Sequence, residues 1–225
     1  MTRTRSRTTR PLTPEEIISR LDAAYGTLPL RPHGDATAEL ILTVLSQNTS
    51  DHNSGRAFIR LLNEFDDWDA IAKGSVKKIE RAIQPGGLAP TKAPRIQAIL
   101  REVYARRGSY DISFLRDLPL EGAREWLTSL PGVGPKTAAC VLLFALGRPA
   151  LPVDTHVHRV AKRLGLVPEK STAEQAAALL EKMVQPEDVY AFHIQLIKHG
   201  RRTCSAQRPK CGECVLGDRC PSAVL

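Results

Sequence analysis

The 225-residue chain has no apolar run long enough to span a bilayer. The longest, Ala138 to Leu146, stops after nine residues at Gly147-Arg148, where a membrane helix needs about 20. No membrane partner is expected. The first ten residues hold four arginines and no acid, and no apolar segment follows them, so they do not read as a secretory signal. Residues 1 to 11 read instead as a flexible basic tail, either a solvated end or a phosphate-seeking arm. Strand patterns are nearly absent. Acid is in deficit: 32 Lys and Arg against 24 Asp and Glu leave a net charge of +8 and a pI near 9.5. That balance suits a partner with dense negative charge, nucleic acid first. Only 31 residues are Gly or Pro and 42% are hydrophobic, which excludes collagen-like and wholly disordered readings.

What remains is helical. Thr13-Pro14-Glu15-Glu16 combines an N-cap, a proline at the first helical position and acids in the first turn, opening a helix over 17–25. Asp35 is placed to cap a helix over 36–47, and Asp51 a segment carrying Phe58, Ile59, Leu61 and Leu62. Residues 91–107 place Ile96, Ile99, Leu100, Val103 and Tyr104 at helical spacing, with Gly108 as the stop. Short helices are expected within 68–83 and 112–128, and longer ones over 135–146, 154–164, 172–184 and 187–199. The expected fold class is all-α. No fixed repeat period runs through the chain, so a solenoid is not expected.

Two sites stand out. In Leu130-Pro131-Gly132-Val133-Gly134-Pro135-Lys136-Thr137-Ala138, two glycines one residue apart allow a sharp turn between helices. Such a corner bares amide N–H groups beside a positive helix end, a site suited to phosphate. It is not a P-loop: the Gly-x4-Gly-Lys-Ser/Thr spacing is missing. Lys136 falls in the first helical turn, where the dipole opposes its charge; with partial burial, more of it would be free amine able to act as a nucleophile. As a surface group it would be a point charge for phosphate. Further on, Asp154 in Val153-Asp154-Thr155-His156-Val157-His158-Arg159 stands where an N-cap is expected. His156 and His158 lack the i, i+4 spacing of a helical metal pair and read as packing or phosphate contacts.

Cys204, Cys211, Cys214 and Cys220 form C-x6-C-x2-C-x5-C, while Cys140 lies alone in an apolar stretch and reads as a small buried residue. Four thiols in a short loop-rich segment favour a metal centre over disulfides, with iron–sulfur and zinc both open on spacing. The segment between the first two holds Arg208 and Lys210, preceded by Lys198, Arg201 and Arg202, all able to reach phosphates or to form a solvated rim.

The hairpin, the Val153 to Val160 segment, the cysteine spacing, and Leu45-Ser46-Gln47-Asn48-Thr49-Ser50-Asp51 and Gly87-Leu88 together resemble the endonuclease III family of base-excision DNA glycosylases, over roughly residues 13–221. The resemblance implies two helical domains with a cleft that receives an extruded base. One domain would be a six-helix barrel over 29–148 with a helix-hairpin-helix motif, the other an iron–sulfur domain of 12–28 plus 149–225. It implies a [4Fe–4S] cluster on the four cysteines, Lys136 as the amine that attacks C1′, and Asp154 as the second catalytic residue. Gly132, Val133, Gly134, Thr137, His156, Arg208 and Lys210 would contact DNA. Asn48 matches the residue that fills the vacated stack, with Gln47 as a substitute and Leu88 entering from the other side. The implied partner is double-stranded DNA with base damage or abasic sites, bound by a cytoplasmic monomer.

The implied activity is removal of oxidised pyrimidines with AP lyase strand cleavage. A monofunctional adenine-DNA glycosylase and a non-catalytic damage binder are the alternatives. Three departures bear on it: Pro135 removes a charge and a backbone donor from the hairpin, Asn48 is shorter than the family's glutamine, and Ala89-Pro90-Thr91-Lys92 lacks the expected Tyr-Asn-Ser-type polar set.

Overall fold

The computed structural model describes residues 10–224, so most of the basic tail lies outside the described residues. The described residues form helices and turns with no strand, and none of the helices is long and apolar enough to cross a membrane. The chain divides into two compact units, residues 31–152 and residues 1–30 with 153–225.

The first of these is built on α2 (Ala36–Ser46), α3 (Asp51–Glu64), α4 (Trp68–Lys73), α5 (Val76–Ile83), α6 (Ala89–Arg107), α7 (Leu120–Thr128) and α8 (Pro135–Cys140). Leu40, Ile41, Val44 and Leu45 of α2, Ile96, Ile99, Leu100 and Val103 of α6, and Ala138 and Ala139 of α8 are buried in one core. Three expectations change in detail. Ser50, not Asp51, caps α3, its hydroxyl accepting from Asn53 N at 3.3 Å, so Asp51 becomes a first-turn acid. Helix α6 starts two residues earlier than the spacing predicts, because Pro90 sits at a position that needs no amide donor. The segment expected as one helix over 135–146 is α-helical only to Cys140 and π-helical over Val141–Ala145. That wider turn ends where Gly34 N donates to Ala145 O at 3.1 Å and Arg148 N to Leu142 O at 2.8 Å.

The second unit holds α1 (Pro14–Tyr25), α9 (Thr155–Arg163), α10 (Ala173–Met183) and α11 (Val189–Arg202). Helix α1 opens as its sequence predicts: Thr13 Oγ1 accepts from Glu16 N at 3.3 Å and Glu16 Oε2 accepts from Thr13 N at 2.9 Å, a reciprocal capping box. Ile17 and Leu21 of α1 and Phe192 and Leu196 of α11 are buried.

In the first unit, Arg148 closes the loop before α7, its Nη1 donating to Leu115 O, Arg116 O and Leu118 O at 3.0, 2.7 and 2.8 Å. Replacing it with methionine keeps the stem and orphans these carbonyls. Arg148→Met is expected to lower unfolding free energy by about 1–3 kcal/mol, read as a shifted urea midpoint with the slope unchanged.

Candidate functional site: a glycine hairpin, an N-cap aspartate and a cysteine loop

The hairpin forms at the end of α7. Gly132 has φ +70°, a left-handed conformation that a side chain would strain, and a Cβ there would come 2.5 Å from Arg95 Nε of α6. Glycine is therefore required both by the turn and by the arginine packed on it. Val133 is buried, its N donating to Leu130 O at 3.2 Å, and Gly134 caps α8 with Pro135 at the first helical position. Lys136 follows in the first turn as an exposed side chain, not a partly buried one. Ala138, Ala139 and Cys140 are buried just behind it, so its backbone is fixed in the core while its ammonium end is open to a ligand.

Thr137 is buried and accepts from Gln47 Nε2 at 3.5 Å; Gln47 Oε1 in turn accepts from Arg95 Nη1 at 3.0 Å. Gln47 thus uses both ends of its amide to join α2, α6 and the hairpin. Asn48 beside it is exposed and left-handed, φ 54°, and Leu88 at the start of α6 is 54% exposed with φ 50°. These are the non-glycine positive-φ residues among the described residues. A leucine in that conformation costs of order 1–3 kcal/mol and persists only where the surroundings impose it.

Lys92 belongs to the part of α6 whose sequence departs from the family's polar set. It is 2% exposed, and its Nζ donates to Leu45 O at 2.7 Å and Gly86 O at 2.8 Å. Burial pushes its pKa down, while the two carbonyls satisfy the ammonium form. Neither Lys92 nor Arg95 is marked by sequence spacing as a functional residue. Lys92 stood in an otherwise apolar α6 stripe, the one signal that could have flagged it.

Helix α2 buries a carboxylate near the hairpin. Glu39 accepts from Thr43 Oγ1 at 3.0 Å and pairs with His33 Nε2 at 3.1 Å, and the Lys136 charge also acts on it. Burial outweighs these partners and raises its pKa above the ordinary 4.5.

In the other unit, Asp154 is the N-cap of α9. Its Oδ1 accepts from His156 N and Val157 N, both at 2.8 Å, so the capping role is real. His156 is turned inward, its Nδ1 accepting from Arg159 Nη2 at 3.1 Å and its ring lying against Gly200 of α11. His158 Nε2 donates to Ser171 O at 2.9 Å. Both histidines pack within the unit.

Cys204, Cys211, Cys214 and Cys220 line one cavity of about 190 Å³. Four thiols around one cavity supply one sulfur for each iron of a four-iron cluster. The surroundings supply donors. Arg163 Nη1 lies 3.3 Å from Cys204 Sγ and 2.7 Å from Ser205 O, and Arg159 Nε donates to Cys204 O at 3.0 Å. Cys214 Sγ lies 3.6 Å from His199 Nε2, whose Nδ1 meets Tyr25 OH at 2.9 Å. Burial lowers the His199 pKa to about 4, so the ring is neutral at pH 7 and can give its Nε2 proton to sulfur while accepting from tyrosine. Burial also raises the Cys214 and Cys220 thiols, so taking up metal must release their protons. The arginines, His199 and Tyr25 are absent from the sequence-level site because their roles depend on packing between helices.

Arg208 and Lys210 are exposed on the loop, as expected. Two residues before it are otherwise employed: Lys198 Nζ donates to Gly26 O at 3.2 Å, and the Arg202 guanidinium lies 5.5 Å from the centre of the Tyr25 ring. Both contacts lie within the unit.

Comparison with known proteins places this geometry. Residues 41–186 match the model of the HhH-GPD superfamily of base excision DNA repair proteins, and residues 204–220 the iron–sulfur binding domain of endonuclease III. A putative DNA glycosylase of Arabidopsis thaliana is 40% identical over 162 residues, 72% of this chain but 55% of that protein. Endonuclease III of Thermotoga maritima is 37% identical over 182 residues, 80% of each chain. A trapped endonuclease III–DNA covalent intermediate superposes with a TM-score of 0.80 at 29% identity, covering 94% of this chain and 97% of that one. The cysteine loop accordingly holds a [4Fe–4S] cluster.

Glu39 yields a test of the site's electrostatics. With its pKa raised on folding, its contribution to stability is complete below pH 4.5 and is lost as pH rises through the folded value. Glu39→Gln removes this loss. The variant's stability relative to wild type is therefore expected to increase as pH rises above 4.5 in urea titrations. A difference independent of pH would show that Glu39 does not titrate in this range.

Proposed function

From its membership of the HhH-GPD superfamily of base excision DNA repair proteins, in the endonuclease III branch, we propose that the chain removes oxidised pyrimidines from duplex DNA and cleaves the strand as an AP lyase. The observation that carries the reading is Lys136: an exposed amine in the first turn after the glycine hairpin, with buried neighbours behind it. In support, a solved relative is a covalent intermediate with DNA.

The chemistry follows from the residue types. Loss of the base leaves an oxocarbenium-like sugar, which the Asp154 carboxylate stabilises electrostatically. The Lys136 amine forms a bond to C1′ as the base departs, and opening of the sugar ring gives a protonated imine. The imine acidifies the C2′ proton; its removal expels the 3′ phosphate by β-elimination, and water then hydrolyses the imine and returns the lysine. The hairpin amides at Gly132, Val133 and Gly134, with Thr137, contact the backbone, and Arg208 and Lys210 add affinity without sequence choice. Asn48 and Leu88 fill the space left by the extruded base, whose unstacking costs least at damaged positions. The enzyme works as a monomer on damaged or abasic duplex. The [4Fe–4S] cluster braces a segment too small for its own core.

Borohydride trapping on an abasic duplex tests the lysine: wild type is expected to give a covalent adduct and Lys136→Gln none. Absence of the wild-type adduct would leave a binding protein or a monofunctional glycosylase. Asp154 is tested separately. Asparagine caps helices about as well as aspartate, so Asp154→Asn keeps the start of α9 while removing the charge. Single-turnover base release is expected to fall at least about a hundredfold with DNA affinity preserved; an unchanged rate would reduce Asp154 to a cap.

A further inference from the structure

Three turns in the unit of residues 31–152 meet on one helix. The first follows α2 and carries Asn48; the second precedes α6 and carries Leu88; the third is the glycine hairpin. The first two turns of α6 touch all three. Lys92 Nζ reaches the last part of α2 at Leu45 O and the second turn at Gly86 O, 2.7 and 2.8 Å away, while its own amide donates to Leu88 O at 2.9 Å. Arg95, three residues on and thus on the same face, donates to Gln47 Oε1 at 3.0 Å beside Asn48, and its guanidinium lies under Gly132 where any Cβ would collide. Thr137, next to Lys136, closes the circuit by accepting from Gln47 Nε2.

We infer that Lys92 and Arg95 are positioning residues for base extrusion: a two-cation bracket that fixes the spacing of Asn48 and Leu88 and ties both to the hairpin that carries Lys136. The inference rests on the reading of Asn48 and Leu88 as the residues that fill the vacated stack. Each of those residues sits in a left-handed conformation, and each is two or three residues from a carbonyl held by Lys92. Their side chains act on DNA together only if the separation of the two turns is set before DNA arrives. Lys92, at 2% exposure, has no surface to offer a phosphate, and Arg95 has its Nη1 taken by Gln47. The bracket therefore works through protein atoms. It sits where the family's polar set is missing, so here the ordering of the loop comes from beneath it.

The test uses the full chain with its cluster and two substrates: a duplex holding one paired oxidised pyrimidine, and the same duplex holding a preformed abasic site, which needs no base extruded. Arg95→Met, at a half-buried position, is expected to slow single-turnover base release at least about tenfold while trapping at the abasic site stays within about twofold. On an Asn48→Ala background the same change is expected to add less than about twofold, because the residue it positions is gone. Lys92→Met should behave alike and Lys92→Arg should recover most of the rate; if Lys92→Met does not fold, Arg95→Met decides alone. Equal losses on both substrates, additivity with Asn48→Ala, or a salt slope of binding reduced by about one, as for a lost phosphate contact, would each overturn the bracket. No adduct from wild type would sink the lyase reading; the bracket would still be tested by base release and its non-additivity with Asn48→Ala.

Discussion

A helix that ends inside a domain leaves carbonyls with no partner of its own, and at the end of α2 that need is met by a lysine from another helix. Lys92 donates to Leu45 O and to Gly86 O while almost wholly buried. A buried ammonium is costly unless hydrogen-bonded, and unmatched carbonyls are costly too, so each group is tolerable only because of the other. The mutual need fixes the distance between α2 and the turn before α6. Around it the rest of the unit assembles: Gln47 joins Arg95 and Thr137, and Gly132 lies flat on Arg95 because only glycine leaves room.

The other unit solves a different problem. Residues 204–220 contribute one fully buried apolar side chain, Leu216, and cannot form a core. Their position is set from α9, where Arg159 and Arg163, one helical turn apart, hold the carbonyls of Cys204, Ser205 and Ala206. Asp154 caps the same helix at its other end. A single nine-residue helix thus carries the candidate carboxylate at its start and the anchors of the cluster loop along its length.

How much of this could be read from residues alone follows from what periodicity contains. The capping box at Thr13 and Glu16, the stop at Gly108 and the glycine corner are local rules, and the structure obeys them. The cysteine spacing named the ligands, and the family match decided between metals that spacing left open. What spacing could not show is tertiary partnership. Lys92 stands at helical spacing with apolar residues, and nothing in the spacing shows that its ammonium is buried on two carbonyls; nor does spacing show that Lys198 and Arg202 contact Gly26 and Tyr25. The left-handed turns at Asn48 and Leu88 were equally invisible, since neither residue type demands that conformation and only its neighbours impose it.

The π-helical stretch after Lys136 has a similar logic. A continuous α-helix over 135–146 would satisfy the apolar pattern, but five residues wind more widely, and the segment closes through Gly34 N to Ala145 O and Arg148 N to Leu142 O. Such irregular turns are unfavourable unless something compensates, and here the compensation comes from tertiary hydrogen bonds and from full burial of Val141, Leu142 and Ala145. The result is a short helix held at its far end by the core and at its near end by a glycine corner lying on Arg95. A nucleophilic side chain needs reach, while the backbone beneath it needs to stay still. Lys136, the candidate nucleophile, combines four methylenes and an exposed amine with a backbone followed directly by the buried residues Thr137 to Cys140.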